Sequence, residues 1–233
     1  MKIGIMQPYL FPYIGYFQLI KAVDKFVIHD DIQYIKGGWI NRNRIQINHK
    51  EHLFTFSLKR DSSLKNINTR LFSDQFTKES ANFLRIVQNT YKKSPFFIYI
   101  YDLLSKILAY KELNISLFIT NSLKLICNYL EIKTPFYLSS KLYKNNQLKG
   151  QDRVMNICQT LDAEVYINPI GGKILYSKEI FKENNISLFF LQTKDMSFEF
   201  KKECYIPNLS IIDVMMFNSI IKIKKMLDSY ELI

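Results

Sequence analysis

Apolar and polar positions follow two different periods along this chain, and the switches between them mark its elements. Residues 2–6 (KIGIM) form a short apolar run closed by Gln7–Pro8, the signature of a buried strand. After a turn at Pro12–Gly15, YFQLIKAV (16–23) offers Phe17, Leu19, Ile20 and Val23 to one face of a helix, and KFVIHD (25–30) supplies a second strand. A strand, a turn, a helix and a strand in that order make a βαβ unit, so the two strands are expected to be parallel neighbours.

The period then shortens. IQINHKEHLFTFSL (45–58) alternates as a β-hairpin does, with its turn at Asn48–His49–Lys50. From 77 to 133 helical spacing takes over, with Pro95 dividing the first two helical stretches. FYLSS (136–140), VYINP (165–169) and SLFFLQ (187–192) read as strands, separated by helices at 151–161 and 177–185. Ser210 is placed to cap one last helix over 211–227. These alternations predict an α/β protein with a mostly parallel sheet, a Rossmann-like layered architecture with a helical middle block and a β-hairpin insertion. The expected organisation is one domain, 1–233, with the helical insertion at about 77–133.

Composition supports a packed core, since 48% of residues are hydrophobic. The net charge of +11 (32 Lys and Arg against 21 Asp and Glu) favours anionic partners such as sugar nucleotides, ATP, tRNA or a membrane face. Many of these lysines stand among Asn and Ile, a pattern that also describes an ordinary solvated surface. Cys127, Cys158 and Cys204 are far apart and make no CxxC pair, so they imply neither a disulfide framework nor a metal site. Cys127 and Cys158 sit in apolar helical context and read as buried thiols. The start MKIGIMQP lacks a signal-peptide core, and no apolar run is long enough to span a bilayer. A cytoplasmic protein without stable membrane insertion is expected.

Residues 7–45 carry the densest chemistry: the only Trp of the chain, Asp30, Asp31, Arg42 and Arg44, set among aromatics, Gln and Asn. A core does not need that mixture; a polar ligand pocket with stacking walls does. In an open parallel sheet, ligands bind beyond the carboxyl ends of the strands. That rule gathers Gln7 and Tyr9, Asp30 and Asp31, Ser139 and Ser140, and Asn168 at one edge, with Tyr13, Gln33 and Lys36 close by in the chain. Asp30 and Asp31 at a strand end are expected to point to opposite faces, leaving one as a general base or as a binder of an amine or hydroxyl.

Gly37–Gly38–Trp39 followed by Asn41, Arg42, Asn43 and Arg44 joins a flexible loop to a stacking surface and two cations with amide partners, suited to a base or sugar face and a phosphate. Gly171, Gly172 and Lys173 form a second loop able to bring backbone N–H groups to an anion. Asp152–Arg153 reads equally as a helix-start pair and as part of a site. His29, His49 and His52 have no metal-ligand spacing, and no metal is assigned. No Cys or Ser–His–Asp arrangement points to a covalent intermediate. The turn at 12–16 is similar in shape to the HxGH segment of nucleotidyltransferases and class I synthetases, but both histidines are missing.

The strings QPYLFPYIGYFQLI, DDIQY with KGGWINRNRI, SS followed by GQDR and ICQTL, YINPIGGK, and PNLSIIDVMMFN run nearly end to end. On them the chain resembles the WbqC-like protein family, whose members are found among genes for O-antigen and other surface polysaccharides. The resemblance implies work on an unusual sugar of a lipopolysaccharide. The expected reaction is N-acyl transfer, with an aminoacyl group and glycyl foremost, onto the amine of a nucleotide-linked (dTDP-type) 4-amino-4,6-dideoxy sugar. Aminoacyl-tRNA, or ATP with a free amino acid, would be the acyl donor. Asp30 or Asp31 would be the base, Arg42, Arg44 and Lys173 would hold phosphates, and Gly171–Gly172 would face an oxyanion. Two alternatives stay open: a glycosyltransferase using a nucleotide sugar, and a non-catalytic sugar-nucleotide binding or scaffold protein of polysaccharide assembly.

Overall fold

The computed structural model describes residues 1–195 and 206–233. The first βαβ unit is formed by β1 (Lys2–Met6), α1 (Ile14–Ala22) and β2 (Lys25–Ile28), with Ile3 to Met6 in parallel register against Lys25 to Ile28. Helix α1 lies close on β1 because Gly4 has no side chain: a Cβ there would stand 3.3 Å from Leu19 Cγ and 3.4 Å from Phe26. The chain then leaves the sheet for a hairpin, β3 (Arg42–Ile47) and β4 (Lys50–Thr55). Its two-residue turn holds Asn48 and His49 at positive φ, a mirror-image turn that matches the twist of paired strands. The hairpin predicted at 45–58 is found over 42–55.

Three helices follow, α2 (Phe76–Tyr91), α3 (Phe97–Leu108) and α4 (Ile115–Tyr129). Phe76, Phe83, Val87 and Tyr91 bury the stripe of α2, and Phe83 packs 4.4 Å, centroid to centroid, from Phe54 of the hairpin. Asn114 caps α4 by accepting from Ser116 and Leu117 N–H. The sheet resumes with β5 (Phe136–Leu138), α5 (Gly150–Thr160), β6 (Val165–Pro169), α6 (Lys178–Glu183) and β7 (Ser187–Thr193).

The last predicted helix is two helices, α7 (Ile211–Phe217) and α8 (Ile220–Leu227), followed by a strand the alternation did not reveal, β8 (Tyr230–Leu232). Asn218 takes an extended backbone and Ser219 caps α8 through Lys222 N–H, so the polar pair Asn–Ser breaks a run that apolar spacing alone reads as continuous.

The six-stranded sheet runs β5–β2–β1–β6–β7–β8, parallel throughout except for β8, and the β3–β4 hairpin stands apart from it. Its strands stand in the doubly wound order, with the reversal of winding between β1 and β6. Alternate residues face two cores. Phe26, Ile28, Ile167 and Leu191 join α1, the helical block and α8 on one face; Ile3, Ile5, Val27, Tyr166 and Phe190 join α5 and α6 on the other. The expected α/β layered architecture, with its hairpin and helical block, is the one observed. Among the described residues, no helix is long and apolar enough to cross a membrane.

Candidate functional site

The site is built where β2 and β5 end. Their register pairs Ile28 with Leu138, so two residues further on Asp30 meets Ser140. Strand β2 stops at Ile28, and Asp30 N–H folds back to Ile28 O at 3.0 Å. That bend overturns the expectation that Asp30 and Asp31 point to opposite faces: both carboxylates reach the Ser139 hydroxyl.

The two carboxylates then part in role. Asp30, fully buried, accepts from Ser116 Oγ at 3.1 Å, from Ser140 N–H at 2.9 Å and from Ser140 Oγ at 2.9 Å, and shares the single Ser139 proton with Asp31. A carboxylate offers about four acceptor positions, so Asp30 is filled by its own chain and ties β2, β5 and α4 together. Its carbonyl also receives Asn68 N–H at 2.8 Å, which lays the 65–69 turn beside 30–34.

Asp31 faces a cleft of about 280 Å³ lined by Asn66, Asn68, Ser140, Asn146 and Arg153. Its Oδ2 binds Lys144 Nζ at 2.5 Å and Arg153 Nη2 at 2.6 Å, and Arg153 also reaches Asp31 O at 3.1 Å. Burial alone would raise the Asp31 pKa. Hydrogen bonds from Lys144 and Ser139 and the charges of Arg153 and Lys144 outweigh it, holding the carboxyl below its ordinary range. His29 stands beside this group with Nε2 buried and unpartnered. Burial pushes its pKa down to about 4 against the pull of Asp31, so its imidazole is neutral at pH 7.

A second cluster lies at the end of β1. Trp39 is 41% exposed, its ring 5.1 Å from the Arg42 guanidinium and 5.0 Å from that of Arg44, with Tyr9 at 6.4 Å. Arg42 and Arg44 are two apart on β3 and so share a side of it. Arg42 Nε donates to Gly38 O and Arg44 pairs with Glu51 at 2.7 Å. Burial and Tyr13 raise the Tyr9 pKa well above its usual value despite both arginines.

Asn41 and Asn43, expected as ligand contacts, are buried staples. Asn41 donates to Phe56 O and accepts from Tyr34 OH; Asn43 donates to Leu10 O and Phe11 O and accepts from Tyr9 OH. Asn43 and Ser210, both bound to Phe11 O, secure the left-handed backbone of Phe11 at φ 47°.

The remaining predicted residues are dispersed. Gln7 is exposed, and its carbonyl takes Tyr16 OH. Tyr13 lies over the first turn of α1, where a Cβ on Gly15 would strike its ring and fall 2.8 Å from Thr193 Oγ1. Gln33 binds Ser63 O, and Lys36 is exposed. Asn168 is turned to Tyr166 OH and packs on Gly172, while Gly171 and Lys173 are exposed away from the cleft lining. Sequence reading passed over Asn66, Asn68, Ser116, Lys144 and Asn146, all in Lys- and Asn-rich or helix-start contexts that look like solvated surface. Cys127 and Cys158 are buried free thiols, with burial raising Cys158 to about 12; Cys204 lies outside the described residues. Among the described residues, no group of three His, Cys, Asp or Glu could hold a metal ion.

Fold and site define an α/β protein of doubly wound strand order, with a charged, amide-lined cleft at the carboxyl edge of its sheet. Residues 7–225 match the WbqC-like protein family, and the chain belongs to that family. It is also 31% identical over 186 residues to the uncharacterized protein Rv1507c of Mycobacterium tuberculosis, an overlap covering 79% of each chain. No solved structure matches.

Proposed function

We propose that this protein transfers an acyl group, an aminoacyl and foremost a glycyl group, onto the amine of a nucleotide-linked 4-amino-4,6-dideoxy sugar in O-antigen biosynthesis. One observation carries the reading: an ionised carboxylate, Asp31, faces a cleft whose other walls are three Asn, a Ser and an Arg. Such a lining offers donors and acceptors to a ring bearing hydroxyls and an amine, and little to an apolar ligand. The Trp39–Arg42–Arg44 patch suits the nucleotide half, with a ring for the base and guanidinium for the diphosphate.

In the proposed step the sugar amine, freed of one proton, attacks the acyl carbonyl carbon. The C–N bond forms as the C–O bond to the carrier breaks, and the carrier oxygen departs with the electron pair and takes up the second proton that the nitrogen sheds. Asp31, the carboxylate of the cleft, receives the proton and passes it to solvent. The carrier is an aminoacyl ester of tRNA or an aminoacyl adenylate made from ATP and the amino acid. Neither described thiol serves as nucleophile, since both are buried and Cys158 holds its proton up to about pH 12.

The test is mass spectrometry on purified protein with dTDP-linked 4-amino-4,6-dideoxy sugar, glycine, ATP, tRNA and glycyl-tRNA synthetase, omitting each component in turn. A product heavier by one glycyl unit is expected, and the omissions name the donor. Saturable binding with no mass change for any donor overturns transfer in favour of a sugar-nucleotide binding protein.

A further inference from the structure

Lys144 is buried where its neighbours are not. It belongs to the segment 141–149 between β5 and α5, in which Lys141, Tyr143, Asn145 and Gln147 are exposed. Yet the Lys144 side chain is only 1% exposed. Its ammonium touches Asp31 Oδ2 at 2.5 Å and Asn146 Oδ1 at 2.9 Å. A lysine on a surface segment ordinarily keeps its ammonium in water, because desolvation is costly unless a carboxylate compensates. The segment is anchored at its ends, by Leu142 packed on the core with its N–H on Ser139 O and by Lys149 O accepting Arg153 N–H, while its middle is held by Asn145 N–H to Asn156 Oδ1 at 2.8 Å and the Thr160 hydroxyl to Tyr143 O at 3.5 Å. Between those anchors, the ion pair with Asp31 ties Lys144 to the cleft.

Arg153 holds Asp31 independently, from α5, through both the carboxylate and the main-chain carbonyl. Withdrawing Lys144 would therefore leave Asp31 ionised and positioned by Arg153 and Ser139, with one acceptor position on Oδ2 released. Asn146 Oδ1 shares that position with Asp31 Oδ2, and Asn66 and Asn68, the latter with a buried Oδ1 that has no partner, line the same cleft. Two acceptors meeting on one ammonium suit a primary amine, which when protonated has three N–H donors and no acceptor.

We infer that this point is an ammonium subsite, filled from within the chain by Lys144, which the ammonium of the amino sugar takes over on binding. The identity of the amine rests on the acyl-transfer reading; the exchange of one ammonium for another does not. Acylation removes the charge from the sugar nitrogen and leaves the glycyl ammonium three bonds further out, so the product's amide cannot hold the position against Lys144 and is displaced as the segment returns.

The experiment compares two probes by calorimetry: the dTDP-linked 4-amino-4,6-dideoxy sugar and its N-acetylated form. Lys144→Met is expected to bind the amine about tenfold more tightly than the wild type does, because no internal competitor must leave, and to bind the N-acetylated form unchanged. Hydrogen exchange on the wild-type chain gives a second readout that needs no variant: the amine speeds exchange of amides in 141–149, and the N-acetylated form does not. Weaker amine binding by Lys144→Met, equal changes for both probes, no binding of either, or exchange at 141–149 untouched by the amine each overturns the subsite. Amine-selective tightening with no transfer from any donor would sink the transfer reading and keep the subsite. Transfer with no change in selectivity would do the reverse.

Discussion

The Asp31 cleft and the Trp39 patch hold charge in opposite ways. In the cleft every charge has an internal partner, with side chains of Lys144, Asp31 and Arg153 between 1% and 12% exposed. In the patch an aromatic ring stands 41% exposed, with two guanidinium groups stacked against it. A ligand entering the first must replace a buried ion pair; one reaching the second meets an exposed ring beside Arg44, whose partner Glu51 is itself 43% exposed. Prepaired, desolvated charge discriminates between ligands, whereas open cation–aromatic surface gives attraction that many planar anions share. On this view the cleft chooses the sugar and the patch supplies affinity.

Asp31→Asn should have the largest effect. Turnover in the glycyl-transfer assay is expected to fall at least about a hundredfold, the usual scale for a lost proton acceptor. Unfolding in urea should show a loss of roughly 3 kcal/mol, since Lys144 and Arg153 are left as uncompensated buried cations. Because the folded pKa of Asp31 is depressed, its stabilisation is fully present above its unfolded value of 3.8 and is lost as pH falls through the folded one. Unchanged turnover in a folded variant would remove Asp31 from the mechanism and with it half of the comparison.

The support beneath the patch gives the next effect. Asp213 on α7 accepts Tyr91 OH at 2.6 Å and Gln46 N–H of β3 at 3.0 Å, while its Oδ2 is buried without a partner. Burial pushes its pKa up to about 7 against those two hydrogen bonds. The folded chain thus holds a proton that the unfolded chain has given up, so this group's contribution falls as pH rises from about 4 to about 7. Asp213→Asn should flatten that decline and melt at higher temperature than the wild type at pH 8, by the equivalent of roughly 4 kcal/mol. A pH profile identical to the wild type's would show that the carboxyl ionises in place without strain.

Trp39→Ala should be the mildest. Affinity for the dTDP-sugar is expected to drop about tenfold in calorimetry, near 1.4 kcal/mol, with stability within about 0.5 kcal/mol and turnover at saturation preserved. A loss of turnover at saturating substrate would make the patch part of the chemistry and erase the division of labour.

The two regions also differ in how far they could be read beforehand. The patch is local: Trp39, Arg42 and Arg44 lie within six positions, and their residue types announce a stacking cationic surface. The strand alternation was equally legible, because apolar period and turn residues act over short distances. The cleft was only half visible. Asp30, Asp31, Ser139 and Ser140 emerge from the rule for strand ends, but Asn66, Asn68, Lys144 and Asn146 come from Lys- and Asn-rich loops with no local mark of function. The register of β2 with β5, the bend after Ile28 and the pairing of 65–69 with 30–34 bring them together, and none of these is encoded within one window of sequence. That bend also divided a pair of aspartates that look equivalent on paper into a scaffold and a cleft-facing group.

Tyr13 and Gly15 carry a further consequence. Doubly wound proteins commonly seat a diphosphate against the amides that open their first helix, using glycines to let it approach. Here that opening is corked: the Tyr13 ring and the Thr193 hydroxyl occupy the space a Cβ on Gly15 would fill. On the proposed reading, a diphosphate at this edge would meet the guanidinium groups of Arg42 and Arg44 in place of main-chain dipoles, a grip that depends on the surrounding ions. Raising potassium chloride should then loosen the nucleotide sugar steadily, in the manner of a polyelectrolyte contact and unlike a glycine-loop cradle.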